Sequence, residues 1–268
     1  MRYVYLLPLL DRHPLTSVHS VHHWLYVCAG ILHRDLSPNN IMCRFVKEAN
    51  AEGKLERKVY GVLTDYDLSS WTEDLKPSYT RTSQQRTGTP PYMAQELLRG
   101  TSPIHLYRHD LESLFYIMLL TAARHTIGTP EKGRGPRVLM RRSKRLPYRD
   151  WFNQQRYDVL GLFKGAFFEQ RQAVELSPAF EDFRPWLLDL QLCFSDGFKL
   201  KTPKERAELS WRATVKPVEF DDETLGGHIT YATFVTAIPY LTGELEGLVI
   251  RDPKCSPVPA SSISAGAT

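Results

Sequence analysis

Two short stretches of this chain hold residue types that can do chemistry together. The first is His33-Arg34-Asp35-Leu36-Ser37-Pro38-Asn39-Asn40. A carboxylate at Asp35 can orient a hydroxyl and take its proton, and a carboxamide oxygen at Asn40 can help hold a cation. The second is Asp65-Tyr66-Asp67, placed after the β-rich run Val62-Leu63-Thr64. Magnesium takes oxygen donors, commonly one or two carboxylates completed by substrate phosphates. Phosphoryl transfer asks for little more, because its catalysis is almost entirely positioning and charge stabilisation. His33, Arg34, Asp35 and Asn40 meet the pattern H-R-D-x-x-x-x-N, in which Asp is the base and Asn a metal ligand. The catalytic candidates are Asp35, Arg34, Asn40 and Ser37. The cofactor and metal candidates are Asn40 and Asp65, with Asp67 as a further carboxylate that is more readily read as solvent-facing or structural.

A third segment, Gly88-Thr89-Pro90-Pro91-Tyr92-Met93-Ala94-Gln95-Glu96, follows in the order an acceptor-binding segment requires. Thr89 and Tyr92 are expected to shape the acceptor pocket and Glu96 to close the segment. His33 and Asp110 are expected to be structural, with Asp110 a buried brace for the catalytic loop.

These residues need elements to position them. Val18, Val21, His22, Leu25 and Cys28 recur at helical spacing, which predicts a helix over 14–31. Residues 41–46 and 58–64 read as strands, joined by an extended polar loop over 47–57. Residues 69–88 are rich in Ser, Thr, Arg and Gln without periodicity, and read as a mobile loop. A short helix over 92–98 and a long, buried apolar helix over 106–123 follow. Residues 124–149 form a basic stretch with Glu131 as its single acid, and read as an inserted surface loop, with an acidic partner as the alternative. Further helices are expected over 150–157, 159–174, 179–196, 203–211 and 231–238. The tail 251–268 is rich in Pro, Ser and Ala, and reads as disordered.

The chain has 268 residues, 42% of them hydrophobic and 24% charged, with a formal charge of +4. That balance calls for neither a nucleic-acid partner nor a membrane. The four cysteines lie far apart and form no CxxC pair, which argues against a zinc site or a disulfide framework. No signal peptide or transmembrane segment is read, so a cytoplasmic or nuclear location is the expectation.

In order and spacing these segments resemble the fungal-type protein kinase domain family. The resemblance rests on His33–Met42, Asp65–Asp67, Gly88–Glu96 and Arg108-His109-Asp110. It also rests on a late block, Asp222–Tyr231, for which no chemical role is apparent. It implies a protein-kinase fold, use of ATP and Mg2+, and protein substrates with Ser/Thr acceptors.

The fold expected is α+β and mainly helical, a kinase-like C-terminal lobe with short β-hairpins at the catalytic and magnesium loops. Its extent is 1–250, with the catalytic loop at 33–40 and the activation segment at 65–96. Four departures stand out. Ser37 replaces a Lys that would place charge near the transferred phosphate. Asp67 replaces a Gly, and the hairpin between Asn40 and Asp65 is long. Residues 1–34 contain no lysine and only Gly30 as glycine, so the N-terminal lobe is expected to be largely absent and nucleotide binding by this chain weak. A non-catalytic interaction module and a small-molecule phosphotransferase remain the alternatives.

Two smaller features complete the reading. His19, His22 and His23 have spacings that suit a metal, but without an accompanying glutamate motif helix packing is favoured. Thr80, Thr82, Ser83 and Thr87 lie beside Arg81 and Arg86, where phosphorylation would allow pairing with arginine; a plain Ser/Thr-rich loop is the other reading.

Overall fold

The computed structural model describes residues 12–50, 52–73, 88–101, 104–128, 139–142, 146–208 and 219–238. The protein is mainly helical, and its strands form two-stranded antiparallel ladders. Helix α1, Arg12–Ala29, stops where Gly30 takes a left-handed φ of 64°. Gly tolerates that conformation because it has no Cβ. The chain then enters β1, Ile31–Leu32, and passes through a 3-10 turn at Pro38–Asn40 into β2, Ile41–Ala49. β2 pairs with β3, Leu55–Leu63, from Ile41↔Leu63 to Ala49↔Leu55.

The ladder corrects the expected 47–57 loop, since the strands zip almost to the tip. Glu48 takes an ion pair from Lys58 at 3.4 Å and a hydrogen bond from the Tyr60 hydroxyl at 2.9 Å, so polar side chains stabilise an exposed ladder. Asn50 Oδ1 accepts the amides of Glu52 and Lys54, and Gly53 has a φ of 76°, which closes the turn. β4, Ser70–Trp71, returns to pair with β1.

The short helix α2 spans Gln95–Arg99 rather than 92–98, because turns at Pro90–Met93 precede it. Helix α3, Tyr107–Arg124, is the centre of the molecule, with every residue buried. Its C-terminal half packs Phe115 and Tyr116 among Trp151, Phe167, Phe168 and Phe194, with ring centroids about 5–6 Å apart. Each such ring contributes ~1.5–3 kcal/mol by burial. Its N-terminal half is polar, with Arg108, His109, Asp110, Glu112 and Ser113 all buried. Buried polar groups need partners, and most of these reach toward the segments read above as the site.

Arg124 belongs to α3 rather than to an insert; its guanidinium lies 3.8 Å over the Phe152 ring. Within the basic stretch, β5, His125–Gly128, pairs with β6, Leu139–Arg142. Residues 129–138 and 143–145 lie outside the described residues.

Helices α4, Arg149–Asn153, and α5, Tyr157–Glu169, are shorter than their apolar patterns suggest. Pro178–Phe183 is a 3-10 segment, and α6 then runs unbroken over Arg184–Glu208, where two helices were expected. α7 is Tyr231–Ala237, capped by Thr230, whose side chain accepts the Thr233 amide. The tail 251–268 and the Ser/Thr cluster at 80–87 lie outside the described residues. No helix among the described residues is long and apolar enough to cross a membrane.

Candidate active site

Asp35 is reached from two directions. Its Oδ1 accepts the Thr89 amide at 2.9 Å and the Thr89 hydroxyl at 3.0 Å. From the other side, Asn40 Nδ2 donates to Asp35 Oδ2 at 3.1 Å and to the Asp35 carbonyl at 2.8 Å. The Pro38–Asn40 turn, fixed by the Asn40 amide on the Ser37 carbonyl, brings the carboxamide back over the loop. With its nitrogen committed to Asp35, Asn40 leaves Oδ1 without a hydrogen bond among the described residues.

The β2–β3 hairpin sets the second half of the site. Its open end pairs Ile41 with Leu63. Beyond it, the Thr64 amide and hydroxyl both donate to the Asn40 carbonyl, at 2.9 and 3.1 Å. Asp65 is the next residue, exposed, with a left-handed φ of 64°. Asn40 and Asp65 therefore leave the same end of one hairpin. Non-glycine residues in this conformation are strained and collect at functional sites. Arg34 is another, with a φ of 69°. Asp67 is exposed on the Tyr66–Ser69 turn.

The loop that carries Asp35 is pinned from beneath by Asp110, which is fully buried. Asp110 Oδ2 accepts the His33 amide at 3.1 Å, the Arg34 amide at 3.3 Å and His22 Nε2 at 2.9 Å. Oδ1 accepts His105 Nε2 at 2.7 Å. Burial pushes the Asp110 carboxyl up, but His105 and His22 outweigh it and hold it well below the usual carboxylate range. An ionised carboxylate only accepts, so both imidazoles donate through Nε2. His33 is also buried. Its Nδ1 accepts the Asp35 amide, so Nε2 carries the proton toward the Thr64 carbonyl at 3.0 Å. Burial lowers its pKa, against the opposing pull of Asp110. His33 thus ties the Asp35 loop to the strand end before Asp65.

Arg34 donates to the Ser70 hydroxyl on β4. Ser37 is buried, with its hydroxyl unpartnered among the described residues, and supplies no charge to the site. Tyr92 is half-buried, edge-on to Phe152 at 6.3 Å.

Glu96 does not join Asp35; it anchors a separate buried ion cluster. Arg108 and Lys201 pair with its two oxygens, and His109 Nε2 lies 3.5 Å away. Burial pushes Glu96 up, yet His109, Arg108 and Lys201 hold it far below the usual range. The late block closes this cluster. The Asp222 carbonyl accepts Arg108 Nε, and its carboxylate pairs with Lys201 at 2.8 Å. Glu223 accepts the Tyr26 hydroxyl at 2.7 Å, which ties the block to α1.

Several of these partners carry no local sequence signal. His105 and Lys201 look like ordinary surface residues, and Asp222 is marked only by the late block, with no role attached to it. Lys164 had one available sign, a lone cation at core spacing with Leu160, Phe167 and Phe168. The three histidines of α1 pack rather than converge. His19 stacks on Tyr231 at 4.4 Å, His23 stacks on the same ring at 4.0 Å, and His22 serves Asp110. Burial pushes His19 down to about 3, so it is neutral.

Asn40 Oδ1 and the Asp65 carboxylate are hard oxygen donors at one hairpin end, a set that fits Mg2+ and not a soft metal. No curated protein matches the chain. Residues 14–122 match the family model of the fungal protein kinase. The matched stretch holds His33–Asn40, Asp65, Gly88–Glu96 and Asp110, and leaves the late block outside it. Over residues 14–122, the chain is thus similar to the fungal protein kinase family.

Proposed function

We propose that this chain carries the catalytic half of an ATP-dependent phosphotransferase that acts on Ser/Thr hydroxyls of protein substrates. One observation carries the reading. Asp35 has one oxygen fixed by Thr89 and the other by Asn40, and Asn40 and Asp65 leave the same end of the β2–β3 hairpin. A base held this way meets an acceptor hydroxyl without reorganising, which is where such enzymes gain most of their rate.

In this reading Asp35 orients the acceptor hydroxyl and takes its proton as the new oxygen–phosphorus bond forms, while the bond between the γ-phosphorus and its bridging oxygen breaks and ADP leaves. Asn40 Oδ1 and Asp65 would hold Mg2+. When bound, the ion neutralises phosphate charge. Thr89 fixes the rotamer of the base, and the acceptor main chain lies along Thr89–Ala94. His33 and Asp110 keep the loop in its strained turn. Ahead of Asp35 the sequence offers no lysine, so the clamp on the ATP phosphates must come from outside residues 1–34.

The test is transfer of labelled phosphate to Ser/Thr peptides with Mg2+, comparing the chain with Asp35→Asn. Loss of the general base is expected to lower transfer by about 10²–10⁴-fold. Equal transfer by both proteins would overturn the proposal. Transfer to small hydroxyl compounds but to no peptide would favour the small-molecule alternative. Absence of transfer by the wild-type chain, even with a separate nucleotide-binding lobe supplied, would favour a non-catalytic module.

A further inference from the structure

Lys164 and Glu112 are charged side chains not assigned to the site above, and both are fully buried. Lys164 rises from α5 under the Thr89–Ala94 segment. Its Nζ donates to the Met93 carbonyl at 2.6 Å and the Pro90 carbonyl at 3.3 Å, and lies 3.9 Å over the Tyr116 ring. Glu112 rises from α3 to the far end of the same segment. Its Oε1 accepts the Gln95 amide at 2.7 Å and the Tyr116 hydroxyl at 2.7 Å.

We propose that Lys164 and Glu112 are positioning residues that hold the Thr89–Gln95 loop in register with Asp35. Thr89 is the residue that fixes Asp35 Oδ1, and Pro90 follows it directly. The loop is therefore held at three places: Thr89 by Asp35, Pro90 and Met93 by Lys164, and Gln95 by Glu112.

Stability alone does not account for the pair. Removing two charges from water is costly, and apolar replacements of similar volume are often neutral or stabilising. Burial lowers the Lys164 pKa well below its usual value and lifts that of Glu112 to about 7, which records the same cost. What an apolar side chain cannot do at position 164 is donate to two loop carbonyls. α5 comes close enough because Gly161 and Gly165 face α2. A Cβ on Gly161 would sit 2.9 Å from the Gln95 carbonyl oxygen, and one on Gly165 would sit 2.7 Å from Gln95 Oε1. What the loop presents to substrate rests on the phosphotransfer reading; its anchoring does not.

The experiment is amide hydrogen exchange on the full chain, followed by peptide kinetics. With two donors lost in Lys164→Met, the Thr89, Tyr92 and Met93 amides are expected to exchange about tenfold faster. The Phe115 and Leu119 amides of α3 are expected to stay within about twofold, which a general loss of structure would not allow. Lys164→Met with Glu112→Gln restores charge balance but not the donors, so the loop should stay fast.

A second arm is independent of Lys164. Glu112→Leu should free the Gln95 amide about tenfold, while Glu112→Gln, which keeps an acceptor, should hold it within about twofold. In kinetics, Lys164→Met should raise KM for the peptide about tenfold and leave KM for ATP within about twofold. Unchanged loop exchange in both arms, parallel loss of protection in α3, or rescue by the double variant would each overturn the proposal. If the wild-type chain transfers no phosphate, the phosphotransfer reading fails while the exchange result still decides the anchoring.

Discussion

At the scale of single residues, the site is held by charge placed where water cannot reach. Asp110 is the strongest case, with one buried carboxylate receiving two backbone amides and two imidazoles. Asp110→Asn replaces one acceptor oxygen with a donor facing donors. A loss of about 3–5 kcal/mol is expected, read by urea unfolding at pH 7. The sign of the pH dependence follows from the shift. The folded-state pKa lies well below the usual carboxylate range, so the stabilisation is present above the ordinary Asp pKa and lost as pH falls through the folded one. Asp110→Asn should therefore flatten the acid limb of the stability curve. A variant that matches wild type at pH 7 and shares its full acid limb would show that Asp110 does not brace the loop.

Among elements, the decisive contact is the approach of α5 to α2. Apolar spacing in α5 makes a helix, but glycine at 161 and 165 decides how near that helix can come. Gly161→Ala would place a methyl against Gln95 and Arg99 backbone atoms at 2.9 and 3.1 Å. Overpacking costs about 1–3 kcal/mol, and the better helix propensity of Ala returns up to about 1. A net loss of about 1–2 kcal/mol is expected in denaturant titration, with faster exchange at the Gln95 amide. An Ala variant as stable as wild type with unchanged exchange would mean that the helices have slack at this contact.

Across the whole molecule, the late block joins parts far apart in sequence. Asp222 and Glu223 reach Lys201 and Arg108 on one side and Tyr26 on the other. The Glu96 cluster therefore depends on residues from α2, α3, α6 and the late block together. A double-mutant cycle on Asp222→Ala and Lys201→Met should give a coupling of about 1 kcal/mol or more. A coupling within about 0.3 kcal/mol would make the block a passive neighbour of Glu96.

What the sequence by itself determined was local. The five-residue spacing of Asp35 and Asn40, with Pro38 between them, is enough for a tight turn that returns Asn40 to Asp35. The hairpin could be read because its apolar and aromatic residues mark two strands, although its length was underread where polar residues zip an exposed ladder. The long apolar run over 106–123 announces a buried helix by composition alone. The tertiary structure decided which distant groups stand beneath these segments. His22 under Asp110, Lys164 under Pro90 and Met93, and Lys201 at Glu96 come from chain separations that no window of sequence spans. Their side chains also look unremarkable until burial removes water and makes each one need a partner. That need is a property of packing. The candidate site residues were therefore legible in the sequence, while the support that holds them in place became visible only in the fold.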